Sequence, residues 1–305
     1  MQPAAPSEAD RQLPSGDEIF LDHVGHFVRD QKAARQALAR AGFAPTAVSV
    51  QVDPSGAPTG TGNVTAMFAR GYVEVLFKSA DTALGREFDA ALARHAGVQL
   101  VAFSVAHAEK AHERLAQAGF RMRPLASFQR PVETEAGPDV AAFTVARVER
   151  DEMAEGRIQI LAHRTEHTVW QKRWLNHPNG ALGLCDVVIA VADVAAAAER
   201  FARFTGCKAG STRLGQAVNL DRGAMQLVSA QSFAEMLPEI TLPRLPFIGA
   251  YGVAVKSLAT AEAVLRKGGM ASRRIGQALA VQFPAELGAG AWLLVERAAD
   301  LPWRI

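Results

Sequence analysis

Residues 20–43 read FLDHVGHFVRDQKAARQALARAGF. The first eight are too rich in β-branched and aromatic side chains, too closely set, for a surface helix, and predict a mostly buried strand. Arg29-Asp30 makes a corner, with Asp30 placed to cap the helix that follows. In that helix Ala33, Ala34, Ala37, Leu38 and Ala41 recur at spacings of three and four and form one apolar stripe, while Lys32, Arg35 and Arg40 face water. Gly42 ends it.

The unit returns three times. Residues 98–120 (VQLVAFSVAHAEKAHERLAQAGF) align on it without a gap through a shared Ala-Gly-Phe end. Residues 185–206 (CDVVIAVADVAAAAERFARFTG) and 249–269 (GAYGVAVKSLATAEAVLRKGG) keep the strand, the corner and the alanine-rich helix. Four starts in one chain mean a repeat architecture. Short strand-like runs bounded by Gly and Pro follow each helix: 47–52, 63–69 and 72–77, then 121–128, 140–148 and 157–161, then 216–220 and 224–229, then 277–283 and 291–296. Each unit is therefore βαβββ, which leaves one sheet face uncovered, so units must pair. The expected fold class is α+β, with four βαβββ modules in two domains: a loose tail over 1–18, a first domain over 19–175 and a second over 176–305. The joint is residues 163–181, HRTEHTVWQKRWLNHPNGA, where Trp170 and Trp174 sit four apart and Pro178-Asn179-Gly180 makes a turn.

The chain has 305 residues, 49% hydrophobic and 21% charged, enough for two domains with cores of their own. Its 33 basic and 31 acidic residues are scattered, and a net charge of +2 gives no electrostatic reason to expect nucleic acid or an anionic membrane. Cys185 and Cys207 cannot make a disulfide framework and neither lies in a CxxC pair, so a reducing, cytoplasmic setting and two buried fillers are expected. The first 18 residues carry Pro, Ser and acids but no apolar h-region, unlike a signal peptide or an anchor. No apolar run approaches the roughly 20 residues that cross a bilayer.

Four features together resemble the vicinal oxygen chelate superfamily, and within it the glyoxalase-like branch. They are His23 seven residues before Asp30 in LDHVGHFVRD, the Gly60-Thr61-Gly62-Asn63 run entering a strand, the strand Tyr72-Val73-Glu74-Val75, and the linker HRTEHTVW…HPNGA. The resemblance implies a sheet curled by two paired modules into a half-open cup. It also implies a divalent metal on the inner face, held by side chains of the first and last strands of each module. Carried over residue by residue, His23 and Glu74 fall on the ligand positions of module one, and Leu100, which cannot bind a metal, and Gln159 on those of module two. In the second pair Asp186 and Ala250 take the first-strand positions and Gln226 and Leu294 the last-strand ones, with Glu296 two residues on. Extradiol dioxygenases of this shape keep a His-His-Glu site in the C-terminal pair, whose modules here hold no histidine.

Alternation puts His23 and His26 on opposite strand faces, so only one of them faces the cup. Gln159 shares a face with Leu161 and His163. A substitute site follows, in which His163, or His167 one turn above it, joins His23 and Glu74 in place of Leu100. Two imidazoles and a carboxylate suit Zn, Fe, Mn or Ni and leave positions for a substrate's adjacent oxygens, with Glu74 or His167 free to carry a proton. Asn63, Tyr72, Phe103 and Trp170 are expected along the substrate. Each has an ordinary rival: His23 as a hydrogen-bonded core residue, His163 and His167 as linker residues, the aromatics as plain core. Glu74, a lone acid in an apolar strand, is costly to bury without a partner. His26, His95, His107, His112 and His177 read as surface, helix or turn residues. The Gly60-Thr61-Gly62 run is no phosphate loop, because neither GxxxxGK[ST] nor a strand-GxGxxG-helix context surrounds it. Two functions follow from different classes: a metal-dependent glyoxalase-like enzyme acting on a small oxygenated molecule by lyase, isomerase or oxygenase chemistry, or a metal-free binding or sequestering protein that kept the cup. Exposed sheet edges in the superfamily imply a homodimer.

Overall fold

A computed structural model describes residues 11–304. β1 (Phe20–Phe27) and α1 (Gln31–Arg40) realise the opening unit. The Asp30 carboxylate accepts from the backbone N–H groups of Lys32 and Ala33 at 2.9 and 3.0 Å, satisfying two donors that a helix start leaves without partners. The helix buries Ala34, Ala37 and Leu38. It stops at Gly42, whose φ of +83° glycine adopts without a Cβ penalty.

The first module continues with β2 (Ser49–Val52), β3 (Pro58–Met67) and β4 (Tyr72–Lys78), followed by α2 (Ala83–Arg94). The second is β5 (Gly97–Ser104), α3 (Ala108–Gln117), β6 (Ala126–Thr134), β7 (Gly137–Arg147) and β8 (Arg157–His163), and α4 (Glu166–Val169) lies in the linker. The third is β9 (Ala181–Val191), α5 (Val194–Thr205), β10 (Ala209–Thr212), β11 (Gly215–Asn219) and β12 (Ala224–Ser229), followed by α6 (Ala230–Met236). The fourth is β13 (Phe247–Val255), α7 (Leu258–Lys267), β14 (Arg273–Ile275), β15 (Ala278–Gln282) and β16 (Ala291–Val295). The fold is thus α+β, with four βαβββ modules paired into two eight-stranded mixed sheets.

The half-open cup expected of each pair takes two forms. In the first half the order β1-β4-β3-β2-β6-β7-β8-β5 closes into a barrel. Closure runs through β2 and β6, where Val52 pairs with Gln129 and Ser49 Oγ donates to the Pro131 carbonyl at 3.1 Å. In the second half the order β10-β11-β12-β9-β13-β16-β15-β14 stays open. The difference lies in the later module of each pair: β6 and β7 have 9 and 11 residues and reach β2, whereas their counterparts β14 and β15 have 3 and 5.

The main apolar core lies between the halves, with Val24, Val101 and Ile160 from the barrel meeting Val187, Tyr251 and Trp292 from the open sheet. One barrel mouth is filled by α2, whose Phe88 stacks on Phe27 at 4.5 Å, and the other by the linker, whose Trp170 stands edge-on to Tyr72. The concave face of the open sheet is covered by α6, Leu237, Ile240, Leu301 and Trp303.

The helices α2 and α6 and the strands β10 and β14 were not foreseen. The second module's hairpin also lies later than 121–128, because ASFQRPVET carries no clean apolar alternation and is a strand by virtue of its pairing. Of the expected loose tail, residues 1–10 lie outside the described residues. Residues 11–18 are tied down: Arg11 pairs with Glu18 at 2.9 Å, and Arg222 donates to the Gln12 carbonyl at 2.8 Å. No described helix is long and apolar enough to cross a membrane.

Candidate functional site

β1 is bulged. Leu21 and His23 face Phe103 and Ala102, which are neighbours on β5, so Asp22 is the extra residue. Bulges of this kind re-aim side chains beside functional sites. Here the bulge lets one carboxylate hold two imidazoles: Asp22 accepts from His23 Nδ1 at 2.6 Å and from His163 Nε2 at 2.9 Å. A carboxylate only accepts, so both facing ring nitrogens carry hydrogens, and in the neutral ring His23 Nε2 is left with its lone pair. Burial opposes ionisation of Asp22, but the charge of His163 and the hydrogen bonds from His163 and His23 outweigh it and hold the carboxyl well below the usual carboxylate range.

His23 Nε2 points at Glu74 Oε2, 3.6 Å away. That gap exceeds a hydrogen bond. Glu74 is fixed from its other oxygen, where Asn63 Nδ2 donates at 2.6 Å. The Tyr72 ring stacks on His23 with centroids 4.4 Å apart. Burial, then the charges of Asp22 and Glu74, push the Tyr72 hydroxyl well above its usual pKa, so it stays a donor.

These groups line a cavity of about 60 Å³ inside the barrel. Its walls follow strand alternation: Tyr72, Glu74 and Leu76 on β4, Phe143, Val145 and Arg147 on β7, Arg157, Gln159 and Leu161 on β8. Leu100 and Arg130 complete it. Gly25 stands beside Leu100, and a Cβ there would lie 3.0 Å from Leu100 Cβ and Leu76 Cδ1. Burial lowers the pKa of Arg130 and Arg157, and that of Arg147 to about 10; a guanidinium keeps its proton in proteins.

The structure therefore brings His23, Glu74, Asn63, Tyr72 and Gln159 together. His163 stands behind them on Asp22, against Phe143 and Trp170, and its Nδ1 has no partner. His167 is not at the cup: α4 is a single turn that buries Thr168 and Val169 and turns His167 outward, 75% exposed and 3.5 Å from Asp139. Phe103 points the other way, into the inter-sheet core toward Phe204 at 6.0 Å, because Leu100 and Ala102 take the barrel side of β5. Trp170 backs Tyr72 and donates to the Phe68 carbonyl at 3.2 Å. Asp22 and the three arginines are the groups the sequence analysis passed over. Asp22 carried the same signal as Glu74, a lone acid in an apolar strand.

Two histidines expected at the surface or in a turn are buried. His26, on the opposite face from His23 as alternation requires, donates from Nδ1 to the Leu287 carbonyl at 2.9 Å and accepts from the Tyr251 hydroxyl at 2.8 Å. Burial lowers its pKa to about 4. His177 pins the linker, donating to the Met67 carbonyl at 2.7 Å and accepting from Ala44 N at 2.9 Å.

In the open sheet, Asp186 is fully buried and accepts from Trp303 Nε1 at 2.7 Å and from Arg304 Nε and Nη2 at 2.8 and 2.7 Å. Gln226 Nε2 donates to Thr212 Oγ1 and the Gln216 carbonyl, and its Oε1 has no partner among the described residues. Leu294 faces the inter-sheet core, and Leu293 takes the concave position. Glu296 caps α7 by accepting from Leu258 N at 2.9 Å.

Zinc enzymes draw three protein ligands to a catalytic metal. Here Leu100 leaves His23 and Glu74 with only the amide of Gln159, and among the described residues no three His, Cys, Asp or Glu side chains converge on one point. Three guanidinium groups share the cavity with one carboxylate, a charge balance that opposes a dication. The Asp22–His23 contact serves a base as well as a ligand, so the donor set decides, and it does not fit a resident divalent metal.

A family profile described as "glyoxalase-like domain" matches residues 21–205. No curated protein sequence matches the chain. Among solved structures, a hypothetical protein from Staphylococcus aureus superposes with a TM-score of 0.62 at 8% identity, covering 90% of this chain and 98% of its own. A mutant of 4-hydroxymandelate synthase from Streptomyces coelicolor gives 0.60 at 12% identity, covering 94% and 96%. A fusion protein of a xylose isomerase-like TIM barrel with 4-hydroxyphenylpyruvate dioxygenase gives 0.54 at 11% identity; 96% of this chain is covered, and it spans 51% of the fusion. At such identities the likeness is one of fold.

Proposed function

This chain belongs to the glyoxalase-like domain family, and from that premise we propose that the barrel of its N-terminal half is an enzyme site that moves protons on a small oxygenated molecule, with His23 and Glu74 as the reacting pair and no resident metal. The observation that carries it is the Asp22 carboxylate, which locks the His23 tautomer and leaves Nε2 facing Glu74 across 3.6 Å. An imidazole so oriented takes a proton from a carbon or hydroxyl beside a carbonyl. The imidazolium so formed, steadied by the Glu74 carboxylate that Asn63 anchors beside it, returns the proton at a neighbouring atom. The Tyr72 hydroxyl supplies a donor to the oxygen on which negative charge gathers. Phe88 and Trp170 at the two mouths keep bulk water out. Isomerase or lyase chemistry follows from this arrangement more directly than oxygenase chemistry.

Metal-stripped protein incubated in D₂O with small α-oxo and α-hydroxy compounds, neutral and anionic, tests it by ¹H NMR. Exchange of the proton beside the carbonyl is expected, and His23→Gln or Glu74→Gln should slow it about 10²-fold or more with the fold intact by circular dichroism. Exchange that needs an added divalent metal and stops with chelator, or that survives in both variants, would refute the proposal.

A further inference from the structure

We infer, resting on that site, that the cup recognises a small carboxylate carrying an oxygen on the neighbouring carbon, and that Arg130 is the residue that binds it. Arg130 is 7% exposed on β6, opposite Ala141, and lines the cavity with His23 and Glu74. Its guanidinium makes no hydrogen bond or ion pair with a described residue; only Tyr72 and Glu74 act on it, at longer range. A cation buried in this way is unfavourable unless an anion joins it. Two other partly buried guanidiniums have theirs: Arg304 is paired with Asp186 and Arg123 with Glu87.

The same deficit appears at the far end of the cup. Arg147 and Arg157 lie over the Phe128 and Phe27 rings at 5.2 and 5.1 Å with no carboxylate in contact among the described residues, Glu87 acting on both only at longer range, and Arg147 Nε is buried without an acceptor. Both also line a neighbouring cavity of about 270 Å³, and Arg130 also lines a groove of about 320 Å³ at the β2–β6 seam. A guanidinium therefore stands at each opening of the cup. An anion entering by the seam meets Arg130 first and comes to rest beside His23 and Glu74, which places the neighbouring oxygen of a carboxylate at the reacting pair.

A planar carboxylate matches the guanidinium fork. Phosphate suits the site less well. The wall backbone N–H groups are committed to strand ladders and offer no nest for a tetrahedral dianion, and Glu74 repels a second negative charge.

Calorimetry and thermal melting at matched ionic strength, with pyruvate and glycolate as probes and methyl pyruvate and inorganic phosphate as controls, decide the matter. A carboxylate is expected to bind and raise the melting temperature while methyl pyruvate does not. Arg130→Met should weaken carboxylate binding about tenfold or more. Because it removes an unpaired buried charge, it should also raise the ligand-free melting temperature, by roughly 2–4 °C; a merely structural arginine would lower it. No carboxylate binding up to about 20 mM, equal binding of the ester, tighter binding of phosphate, or unchanged affinity in Arg130→Met would each overturn the inference. His23→Gln should lose proton exchange and still bind the carboxylate; wild-type protein that binds the carboxylate without exchanging a proton defeats the proposed function alone, and wild-type protein that exchanges a proton while its carboxylate affinity is unchanged by Arg130→Met defeats this inference alone.

Discussion

Asp186 and His23 take the same place in their modules, seven residues before the helix-capping aspartates Asp193 and Asp30, and they have opposite fates. Asp186 is saturated by Trp303 and Arg304, and the concave face around it is packed with α6 and the chain's last turn. His23 is held on one side by Asp22 and left open on the other, toward Glu74 and a cavity bordered by arginines. The second pair of modules pairs its central carboxylate within the chain, although Gln226 Oε1 is left without a partner and Asp186 borders a groove of about 450 Å³. The first pair keeps its polar groups turned toward a cavity, which is the arrangement that pre-organises a site and costs stability.

The largest expected effect separates the halves by activity. Asp22→Asn should cut proton exchange by about 10²–10⁴-fold, since an amide offers His23 the wrong hydrogen-bond pattern. Asp186→Asn should leave the rate within about twofold. Equal loss in both would erase the distinction. Next comes the seam between the halves. His26 is neutral in the fold with a pKa of about 4 and titrates near 6.5 when unfolded, so the unfolded chain binds the extra proton between those values. Stability is unaffected above that window and falls as pH drops from about 6.5 to 4, by roughly 3 kcal/mol in all. Urea melts at stepped pH should show this fall in the wild type and much less of it in His26→Gln.

A somewhat smaller loss, about 2–3 kcal/mol, is expected in chemical denaturation of Asp186→Ala, which strips Trp303 and Arg304 of their buried partner, again with proton exchange preserved. The smallest is Phe103→Leu: about 1 kcal/mol of stability and no change in rate or ligand affinity, because the ring lies between the sheets. A large rate change there would return Phe103 to the substrate.

The repeat, the Asp30 cap and the opposite facing of His23 and His26 were legible because apolar periodicity and turn chemistry are local. The placing of His23, Glu74 and Asn63 at one site came from the resemblance to the vicinal oxygen chelate superfamily; alternation told only which residues of a single strand share a face. Asp22 was hidden by its bulge, since an alternating strand would turn it away from His23. Phe103 was misplaced because a strand buried on both faces gives no sign of which face meets which core. The arginines sit in strands whose composition looks exposed, and only closure of the barrel through β2 and β6 puts them inside. Closure itself depends on contacts far apart in sequence, and so does the sealing of Asp186 by residues more than a hundred positions away.

The most direct measurement is a ¹⁵N spectrum of histidine- and tryptophan-labelled, metal-stripped protein, recorded with and without pyruvate. His23 should show a protonated Nδ1 and an acceptor Nε2 whose signal moves on addition of the ligand, while His26 and the Trp303 indole stay still. A silent His23, with Trp303 responding instead, would place the site in the other half and contradict the account.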